Sequence, residues 1–247
     1  MRLGIIGGTG STELFPPGTA VTLSPGPWGT TSAPVQRYHI NGHELLFIAR
    51  HGPPGEPAIA PHKVNYRANL WALHELGVEH VLGINAVGGI TAEATPGRLV
   101  IPDQLIDYTW GREHTFTGDS RFALAHVEFT TPFSAHLRSL LLAAAGSSGL
   151  DVLPAGTYGA TQGPRLETAA EIDRLERDGC QVVGMTAMPE AGLARELNLS
   201  YAICCTVVNR AAGRAPPGVA IHGEIAASMV AAMAGVRRLV MGLLAAD

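Results

Sequence analysis

Short apolar runs that stop at glycine or at a polar residue recur along this chain. Leu3 to Ile6, Val81 to Ile84 and Tyr201 to Val208 are such runs, and their continuous apolar character is typical of strands buried on both faces. Segments with helical character lie between and after them: Lys63 to Leu76, Leu137 to Ala145, Glu190 to Leu197 and a long C-terminal segment from Ile221. This alternation predicts one α/β domain over residues 1–247 and leaves the order of the strands open.

Two further β segments carry turn or edge signals. Arg37 to Ile40 and Glu44 to Ala49 flank Asn41-Gly42, which is a strong signal for a two-residue hairpin turn. Gly97 to Ile106 also has β character, but Pro102 predicts an edge or irregular position within it. We therefore expect one hairpin and one interrupted strand.

The stretch over residues 158–190 combines several local signals. A β-like segment runs into the breaker Gly163-Pro164, after which Thr168 and Glu171 form a capping box that starts a helix. Glu167 is therefore expected at the mouth of that helix with its carboxylate free. A second apolar strand follows, with three candidate residues just beyond its end: Met185, Thr186 and Glu190. Because open α/β proteins bind ligands at the carboxyl ends of strands, we interpret this stretch as the ligand-recognition segment.

Composition narrows the class of protein. The chain is 46% hydrophobic and 15% charged, with a net charge of −4 and dispersed Lys and Arg residues, which argues against a nucleic-acid or anionic-membrane surface. Its start is too short and glycine-rich for a signal peptide. The longest apolar run, Ile225 to Val236, stops at Arg237-Arg238 and is expected to be too short to span a bilayer. We therefore expect a cytoplasmic protein without membrane contact.

Small sets of polar groups follow several predicted strands. They are Thr9; Arg50 and His51; Asn85 and Ala86; Met185 and Thr186; and Asn209. Hydroxyls, backbone N–H groups and an Arg-His pair form a suitable cradle for a dianion. The glycine-rich turn at Gly7 to Ser11 is either part of that cradle or an ordinary tight turn, because it lacks the third glycine of a dinucleotide fingerprint and the Gly-Lys-Ser/Thr of a Walker loop.

Other chemistries find little support. No Gly-x-Ser-x-Gly elbow occurs, and the three cysteines and ten histidines form no metal-ligand spacing, so no metal site is expected. Glu167 and Asn209 remain as the best specificity pair, one an acceptor and the other a donor and acceptor. Both also have ordinary structural interpretations, Glu167 as a first-turn helix charge and Asn209 as a turn residue.

Several separated motifs occur together and in order. They are Gly7-Gly-Thr-Gly10, Arg50-His-Gly52, Asn65-Tyr-Arg-Ala-Asn69, Asn85-Ala-Val-Gly-Gly89, Gly163-Pro-Arg-Leu-Glu-Thr168 and Gly184-Met-Thr-Ala-Met-Pro-Glu190. Over nearly its whole length the chain resembles the trimeric purine nucleoside phosphorylase and 5′-methylthioadenosine phosphorylase family, and within it the bacterial S-methyl-5′-thioinosine phosphorylases. The resemblance implies a single-domain phosphorylase/hydrolase-like fold with a central mixed β-sheet flanked by helices.

The resemblance also implies a reaction. Inorganic phosphate, as co-substrate and without another cofactor, attacks C1′ of a purine nucleoside and releases the base. The family pattern places phosphate on Thr9, Arg50, His51, the Ala86 N–H and Thr186. It places Met185 under the ribose and counts Asn85 and Leu166 among the substrate contacts. Glu167, Asn209 and His51 are the expected catalytic residues.

Two positions in the base pocket indicate the purine. In the family, Glu at the position of Glu167 and Asn at that of Asn209 accompany 6-oxopurine substrates, whereas a small polar residue and Asp accompany 6-aminopurines. An ionised Glu167 accepts from the N1–H of hypoxanthine or guanine but meets a lone pair on adenine. Polar mismatch of this kind discriminates by roughly 10⁴ or more. We therefore predict a 6-oxopurine nucleoside phosphorylase.

The 5′ substituent is less determined. His222 falls near the position where the nucleoside branch contacts a 5′-hydroxyl, and His126 matches a histidine that a neighbouring subunit contributes in the methylthio branch. Pro53-Pro54-Gly55 replace a further histidine of that branch. Methylthioinosine is favoured by overall similarity, with inosine or guanosine as the alternative. The family pattern implies a homotrimer or a dimer of trimers.

Two other classes remain open. A nucleosidase would use water in place of phosphate, although Arg50 and His51 argue against it. A non-catalytic purine-nucleoside-binding module would use the glycine-rich turn, but it leaves the combination of Glu167 and Asn209 unexplained. The missing third glycine disfavours a dehydrogenase.

Overall fold

The candidate strand ends all belong to one mixed β-sheet. The computed structural model of the chain describes residues 1–216, 218 and 221–245. Its strands are β1 (Arg2–Gly7), β2 (Thr19–Val21), β3 (Val35–Ile40), β4 (His43–Ala49), β5 (His80–Gly89), β6 (Leu99–Val100), β7 (Gln104–Asp107), β8 (Val152–Leu153), β9 (Thr157–Ala160), β10 (Cys180–Gly184) and β11 (Ser200–Arg210). Its α-helices are α1 (Tyr66–Glu75), α2 (Ala135–Ser147), α3 (Ala169–Arg177), α4 (Ala187–Glu196) and α5 (Ile221–Leu243). The predicted α/β class with a central mixed sheet and flanking helices is confirmed.

Strand β5 lies at the centre of the sheet. It pairs in parallel with β1 on one side and with β11 on the other. Beyond β1 the sheet continues through parallel β4 and then antiparallel β3 and β2. Near its C-terminal end β5 pairs antiparallel with β10, which leads to parallel β9 and β7. The continuous apolar runs β1, β5 and β11 are therefore inner strands, as their composition predicts.

A gap opens along one edge of β5. Its pairing with β1 ends at Ile84, and its pairing with β10 begins at Gly88. Residues 85–87 therefore have no strand partner on that side. On the other side, the register of β11 shifts between Val207 and Asn209, which is a β-bulge. Bulges commonly redirect a side chain next to a functional site.

The turn and edge predictions are confirmed. Asn41 and Gly42 both have positive φ, at 50° and 78°, so the β3–β4 hairpin turns as the Asn-Gly signal requires. The β segment around Pro102 divides into β6 and β7, because proline has no N–H for a continuous ladder.

Side-chain caps set where the helices begin. The Thr168 hydroxyl accepts from Glu171 N–H while the Glu171 carboxylate accepts from Thr168 N–H, which confirms the capping box of α3. Helix α1 begins at Tyr66 and not at Lys63, because Asn65 caps it through Ala68 N–H. Helix α4 has a kink at Met188, whose φ of −114° and ψ of 137° are not helical, so its regular part begins after Met188 and agrees with the helix predicted over Glu190 to Leu197.

Helix α5 corrects the expectation about its apolar run. The helix continues through Arg237 and Arg238, and Ile225–Leu243 is long and apolar enough to cross a membrane by length and composition. The length argument against a span is therefore wrong. One face of α5 nevertheless packs against β11 and α2. Its buried residues there include Ala232, Val236, Leu239, Val240 and Leu243.

Candidate active site

A cavity of about 480 Å³ lies over the gap beside β5. Most of the predicted site residues line it: Thr9, Arg50, His51, Ala86, Leu166, Glu167, Met185, Thr186 and Asn209. They come from strand ends that are far apart in sequence. The structure thus brings together in one cavity the residues that the strand-end pattern selected.

Three predicted residues are not among the described lining of this cavity. Asn85 is buried behind the cavity wall and does not line it. His126 is exposed and does not line the cavity of its own chain. His222 belongs to α5, and its side chain lies outside the described part of the chain.

Arg50 is fully buried and ion-paired. Its Nε and Nη2 donate to the two carboxylate oxygens of Glu190 at 2.8 and 2.9 Å, and Tyr201 donates its hydroxyl to the same carboxylate at 2.9 Å. Burial alone lowers the pKa of Arg50, but the charge and hydrogen bonds of Glu190 outweigh that effect and raise it. Arg50 therefore supplies a fixed positive charge at this end of the cavity.

Two further donors of Arg50 bind backbone carbonyls of β1 and β5. Nη2 also donates to the Ile6 carbonyl at 3.0 Å, and Nη1 donates to the Ile84 carbonyl at 2.9 Å. One N–H of Nη1 is left for the cavity, because a guanidinium has five donors. A Cβ at Gly8 would lie 2.9 Å from Nη1 and 2.7 Å from the Ile84 oxygen. Glycine at that position is therefore needed for the β1 turn to approach the guanidinium.

Thr186 is oriented by Asn85. Asn85 Nδ2 donates to Thr186 Oγ1 at 2.7 Å, so the hydroxyl proton of Thr186 is free to be donated elsewhere. Asn85 Oδ1 has no hydrogen-bond partner among the described residues. The contact makes Asn85 a support for Thr186, whereas the sequence pattern had suggested a direct substrate contact.

The Ala86 backbone N–H faces the gap. The Ile84 carbonyl accepts from Gly8 N–H, so the backbone groups of Ile84 point to the β1 side of β5. Backbone groups alternate between the two sides of a strand, so the N–H of Ala86 points to that same side. Because no strand pairs there, this donor is available to a ligand.

His51 has a defined tautomer. Its Nδ1 is 2.8 Å from the Ile59 carbonyl, which can only accept, so Nδ1 carries a proton. Burial, followed by the charge of Arg50, lowers the pKa of His51. The neutral ring therefore offers the Nε2 lone pair, which can accept a proton or a hydrogen bond from a hydrogen phosphate.

Glu167 has a neighbour that the sequence did not indicate. Thr161, the residue after β9, donates its hydroxyl to Glu167 Oε1 at 2.6 Å. Glu167 immediately precedes the Thr168 cap of α3, so its backbone is fixed by the capping box. One carboxylate oxygen is thus held by Thr161, while Oε2 has no hydrogen bond among the described residues and can receive a donor from a ligand.

Asn209 reaches the cavity from the β11 bulge. Its Nδ2 donates to the Arg210 carbonyl at 2.6 Å, and the residue is 7% exposed. This leaves the second amide hydrogen and Oδ1, one donor and one acceptor, for a ligand. Glu167 and Asn209 therefore line the same cavity, Glu167 from the segment just before the α3 cap and Asn209 from β11.

Met185 packs closely against Gly163. A Cβ at Gly163 would lie 2.4 Å from Met185 Sδ, and Gly163 has φ of +61°. Both the close approach and the left-handed backbone require glycine there. The connection after β9 and the connection after β10 are therefore in direct contact at the cavity wall.

The described residues contain no group of three or more His, Cys, Asp or Glu side chains able to hold a metal ion. Arg50 lines the cavity, whereas its ion-pair partner Glu190 does not. The cavity thus combines a cationic end at Arg50, an acid–amide pair and apolar walls.

Comparison with known proteins identifies the family of the chain. The sequence profile of the Phosphorylase superfamily matches residues 2–245. The chain belongs to the phosphorylase superfamily. It is 50% identical over 211 residues to a probable S-methyl-5′-thioinosine phosphorylase of Pseudomonas syringae pv. tomato, covering 85% of each chain. It is 42% identical over 249 residues to a probable 6-oxopurine nucleoside phosphorylase of Thermococcus kodakarensis, covering 97% of this chain and 90% of the relative.

A solved structure gives the same fold. The methylthioadenosine phosphorylase of Schistosoma mansoni in complex with adenine superposes with a TM-score of 0.91 at 29% identity, covering 99% of this chain and 91% of that one. The family resemblance drawn from the motifs is thereby confirmed. Phosphorylase-superfamily membership makes this chain a nucleoside phosphorylase, a pentosyltransferase.

Some residues around the site have no signal in the local sequence. Thr161 lies just before the motif that begins at Gly163. Its position six residues before Glu167 is the one sequence feature that points to its role. Arg112, 8% exposed, lies in a long polar loop and contacts the backbone of both cavity-wall connections. Such a contact follows from tertiary packing and has no periodic or motif signature.

Proposed function

We propose that this phosphorylase converts S-methyl-5′-thioinosine and phosphate to hypoxanthine and 5-methylthioribose 1-phosphate. The observation that carries the proposal is the placement of Glu167 and Asn209 on the cavity that also contains Arg50 and Thr186. The relatives described as S-methyl-5′-thioinosine and 6-oxopurine nucleoside phosphorylases support it. The proposed catalytic domain spans residues 1–247, with phosphate as co-substrate and no other cofactor.

The phosphate site uses the cationic end of the cavity. Phosphate accepts from the free Nη1 hydrogen of Arg50, the Thr186 hydroxyl and the Ala86 N–H, with Thr9 on the open side. His51 accepts a hydrogen bond from the protonated phosphate oxygen through Nε2. These groups are already oriented by protein contacts, so they need little reorganisation when phosphate binds.

The reaction balances without a covalent enzyme intermediate. A phosphate oxygen forms a bond to C1′ as the C1′–N9 bond breaks, and the electron pair of that bond moves into the purine. The proton of hydrogen phosphate ends on the departing base. Asn209 Oδ1 accepts from the protonated N7 of that base, and Asn209 N–H donates to O6. Glu167 accepts from N1–H, which only a 6-oxopurine carries.

The 5′ end of the substrate lies toward α5. Ile221, Ile225 and Met229 of α5 line the cavity, as do Ala58 to Pro61. Apolar lining favours a methylthio group over a hydroxyl, which would lose its hydrogen bonds to water. Inosine or guanosine phosphorolysis is the second candidate, and the similarity to the T. kodakarensis relative favours it.

We propose a homotrimer or a dimer of trimers in which His126 completes a neighbouring cavity, acting in the cytoplasm. His126 is exposed on its own chain, so it is accessible to a neighbouring chain. The support for the assembly is the family resemblance, in which the histidine at this position is contributed across the subunit interface. Membrane or nucleic-acid partners are not part of the proposal.

One assay tests the activity. Methylthioinosine, inosine, guanosine, methylthioadenosine and adenosine are compared with and without phosphate, for the natural chain and for Glu167→Gln/Asn209→Asp. We expect phosphate-dependent turnover, with the highest kcat/KM for methylthioinosine. In the double variant, the ratio of kcat/KM for 6-oxopurine over 6-aminopurine nucleosides should fall by about 100-fold or more. Turnover without phosphate would instead establish a nucleosidase. No turnover with any substrate would favour a binding module, and an unchanged preference would remove Glu167 and Asn209 from base recognition.

A further inference from the structure

We propose that Arg112 is a positioning residue that holds the two walls of the base and ribose site in register. The expected effect of Arg112 on catalysis rests on the proposed function. Its role in joining the two walls rests only on the contacts that the structure shows. The two walls are residues 161–168, which follow β9, and residues 185–190, which follow β10. We call them the β9 wall and the β10 wall.

Arg112 donates to both walls at once. On the β9 wall, Nη2 donates to the carbonyls of Thr161 and Gln162 at 3.1 and 2.8 Å. On the β10 wall, Nη1 donates to the carbonyls of Met185 and Met188 at 2.8 and 2.6 Å. The Nε of Arg112 also donates to Gln162 Oε1 at 3.2 Å.

The walls need such a link. Strands β9 and β10 pair through Ala160 and Gly184, and the last backbone bond between them is Thr161 N–H to the Gly184 carbonyl at 2.8 Å. Beyond this point the carbonyls that Arg112 contacts converge on one small volume. Converging carbonyl dipoles repel one another, and a buried planar cation with five donors offsets that repulsion.

We call Arg112, together with the four wall carbonyls that it contacts, the Arg112 clamp. This clamp acts on residues that contact substrate in the proposed function. Thr161 connects it to base recognition, because its carbonyl accepts from Arg112 and its hydroxyl donates to Glu167. Met185 connects it to the ribose, because its carbonyl accepts from Arg112 and its side chain lines the cavity. Arg112 itself does not line the cavity, so it acts through these neighbours.

Arg138 offers a matched control. It is a partly buried arginine of α2 that also joins backbone carbonyls of two segments: Pro102 at 2.8 Å, Ile101 at 3.2 Å and Pro154 at 2.6 Å. None of these residues lines the cavity. Arg138→Ala therefore removes a comparable set of hydrogen bonds away from the site.

The kinetic test compares Arg112→Ala, Arg112→Lys and Arg138→Ala with the natural chain. We expect Arg112→Ala to lower kcat/KM for the 6-oxopurine nucleoside by about 100-fold and to narrow the 6-oxo over 6-amino preference. Added guanidinium ion at non-denaturing concentration should restore part of that activity, and equal sodium chloride should not. The kcat/KM of Arg112→Lys should lie between those of the natural chain and Arg112→Ala, because an ammonium keeps the charge but not the planar guanidinium geometry. Arg138→Ala should lower the melting temperature without changing the preference.

Hydrogen–deuterium exchange of the two walls tests the role of Arg112 independently of turnover. In Arg112→Ala, or in Arg112→Lys if the alanine variant does not fold, peptides covering both walls should exchange faster together, whereas in Arg138→Ala they should not. If the natural chain turns over no nucleoside, the proposed function fails and the exchange result alone decides the clamp. Unchanged exchange in the two walls, or unchanged substrate preference in an active Arg112→Ala enzyme, would overturn it.

Discussion

Arg50 shows how a buried charge can serve a binding site. An isolated cation in the protein interior is very costly, and the bidentate bond to Glu190 with a third contact from Tyr201 offsets that cost. The same contacts fix the guanidinium in one orientation. An anion that enters the cavity therefore meets a donor that is already in place, and the energy of binding is not used to order the side chain.

His51 leads to a prediction about pH. Its pKa in the folded chain is lowered from 6.5 by burial and then by Arg50, so below pH 6.5 the unfolded chain binds a proton that the folded chain resists. Stability from this residue is therefore complete above pH 6.5, decreases as the pH falls toward the folded-state pKa, and is constant below it. In His51→Gln this contribution is absent. We subtract the unfolding free energy of His51→Gln from that of the natural chain. We expect this difference to decrease as the pH is lowered from 7.5 to 5.

Urea unfolding at a series of pH values measures this difference. The subtraction removes the contributions of the other histidines, which both chains share. His39→Gln serves as a control, because His39 lies on β3 and does not line the cavity. A natural chain that gains stability over His51→Gln on acidification would show that His51 is charged in the fold.

Predictability at the residue level depended on whether the role was local. Glu167 could be assigned to a helix mouth because Thr168 and Glu171 form a capping box, which is a pattern within four positions. Asn85 was expected to contact substrate, but whether a strand residue points into a cavity or behind it depends on neighbouring strands. The long polar loop that carries Arg112 could be predicted as an interface or site loop, but the contacts of Arg112 could not. Its partners belong to connections about 50 and 75 positions away, and no local pattern encodes that distance.

At the scale of elements, helix α3 links a cap to recognition. The capping box fixes the backbone of Thr168 and thereby restricts the backbone of Glu167, which precedes it. It therefore positions the Glu167 carboxylate as well as the start of α3. We predict that Thr168→Ala lowers the unfolding free energy by about 1 kcal/mol and also lowers kcat/KM for the 6-oxopurine nucleoside severalfold. The first effect is a lost cap, and the second is a Glu167 carboxylate that is less well ordered.

Ser134→Ala separates the two effects. Ser134 caps α2 through Leu137 N–H at 3.2 Å, and it does not line the cavity. We expect a similar loss of stability in urea unfolding with unchanged kinetics. Equal kinetic loss in both variants would mean that the Thr168 effect is only general destabilisation.

Element boundaries were predictable where side chains or turns signal them. The β3–β4 hairpin follows from Asn41-Gly42, and the break between β6 and β7 follows from Pro102. The start of α1 was misplaced because Pro61 to Lys63 form a separate 3-10 turn before the Asn65 cap. The β11 bulge that presents Asn209 had no sequence signal, since it depends on the register with β5.

At the scale of the whole molecule, the site is formed by the order of the strands. Alternating patterns predicted the α/β class, but they did not give the arrangement in which β1 and β10 leave residues 85–87 of β5 without a described strand partner on the β1 side. That gap is the reason that a backbone donor faces a cavity inside a sheet. Strand order depends on long-range pairing, so it stayed open in the sequence analysis, and the family resemblance predicted only that the central sheet is mixed.

The assembly proposal places part of each site on another chain. If His126 completes a neighbouring cavity, a chain with His126→Ala keeps an intact Asn209, and a chain with Asn209→Ala keeps an intact His126. Neither variant alone forms a complete site. In a randomly mixed closed ring, a site is complete when an intact Asn209 meets an intact neighbouring His126, which occurs for about one quarter of sites.

We therefore predict that co-expressed His126→Ala and Asn209→Ala chains recover roughly a quarter of the natural kcat/KM, well above either variant assembled alone. Light scattering on the same sample gives the number of chains. Mixing Asn209→Ala with Glu167→Ala is the control, because both residues line the cavity of their own chain and every site in that mixture has one defect. If His126 acts within its own chain, the first mixture recovers no more than the control, and the shared site is wrong even if the protein is a trimer.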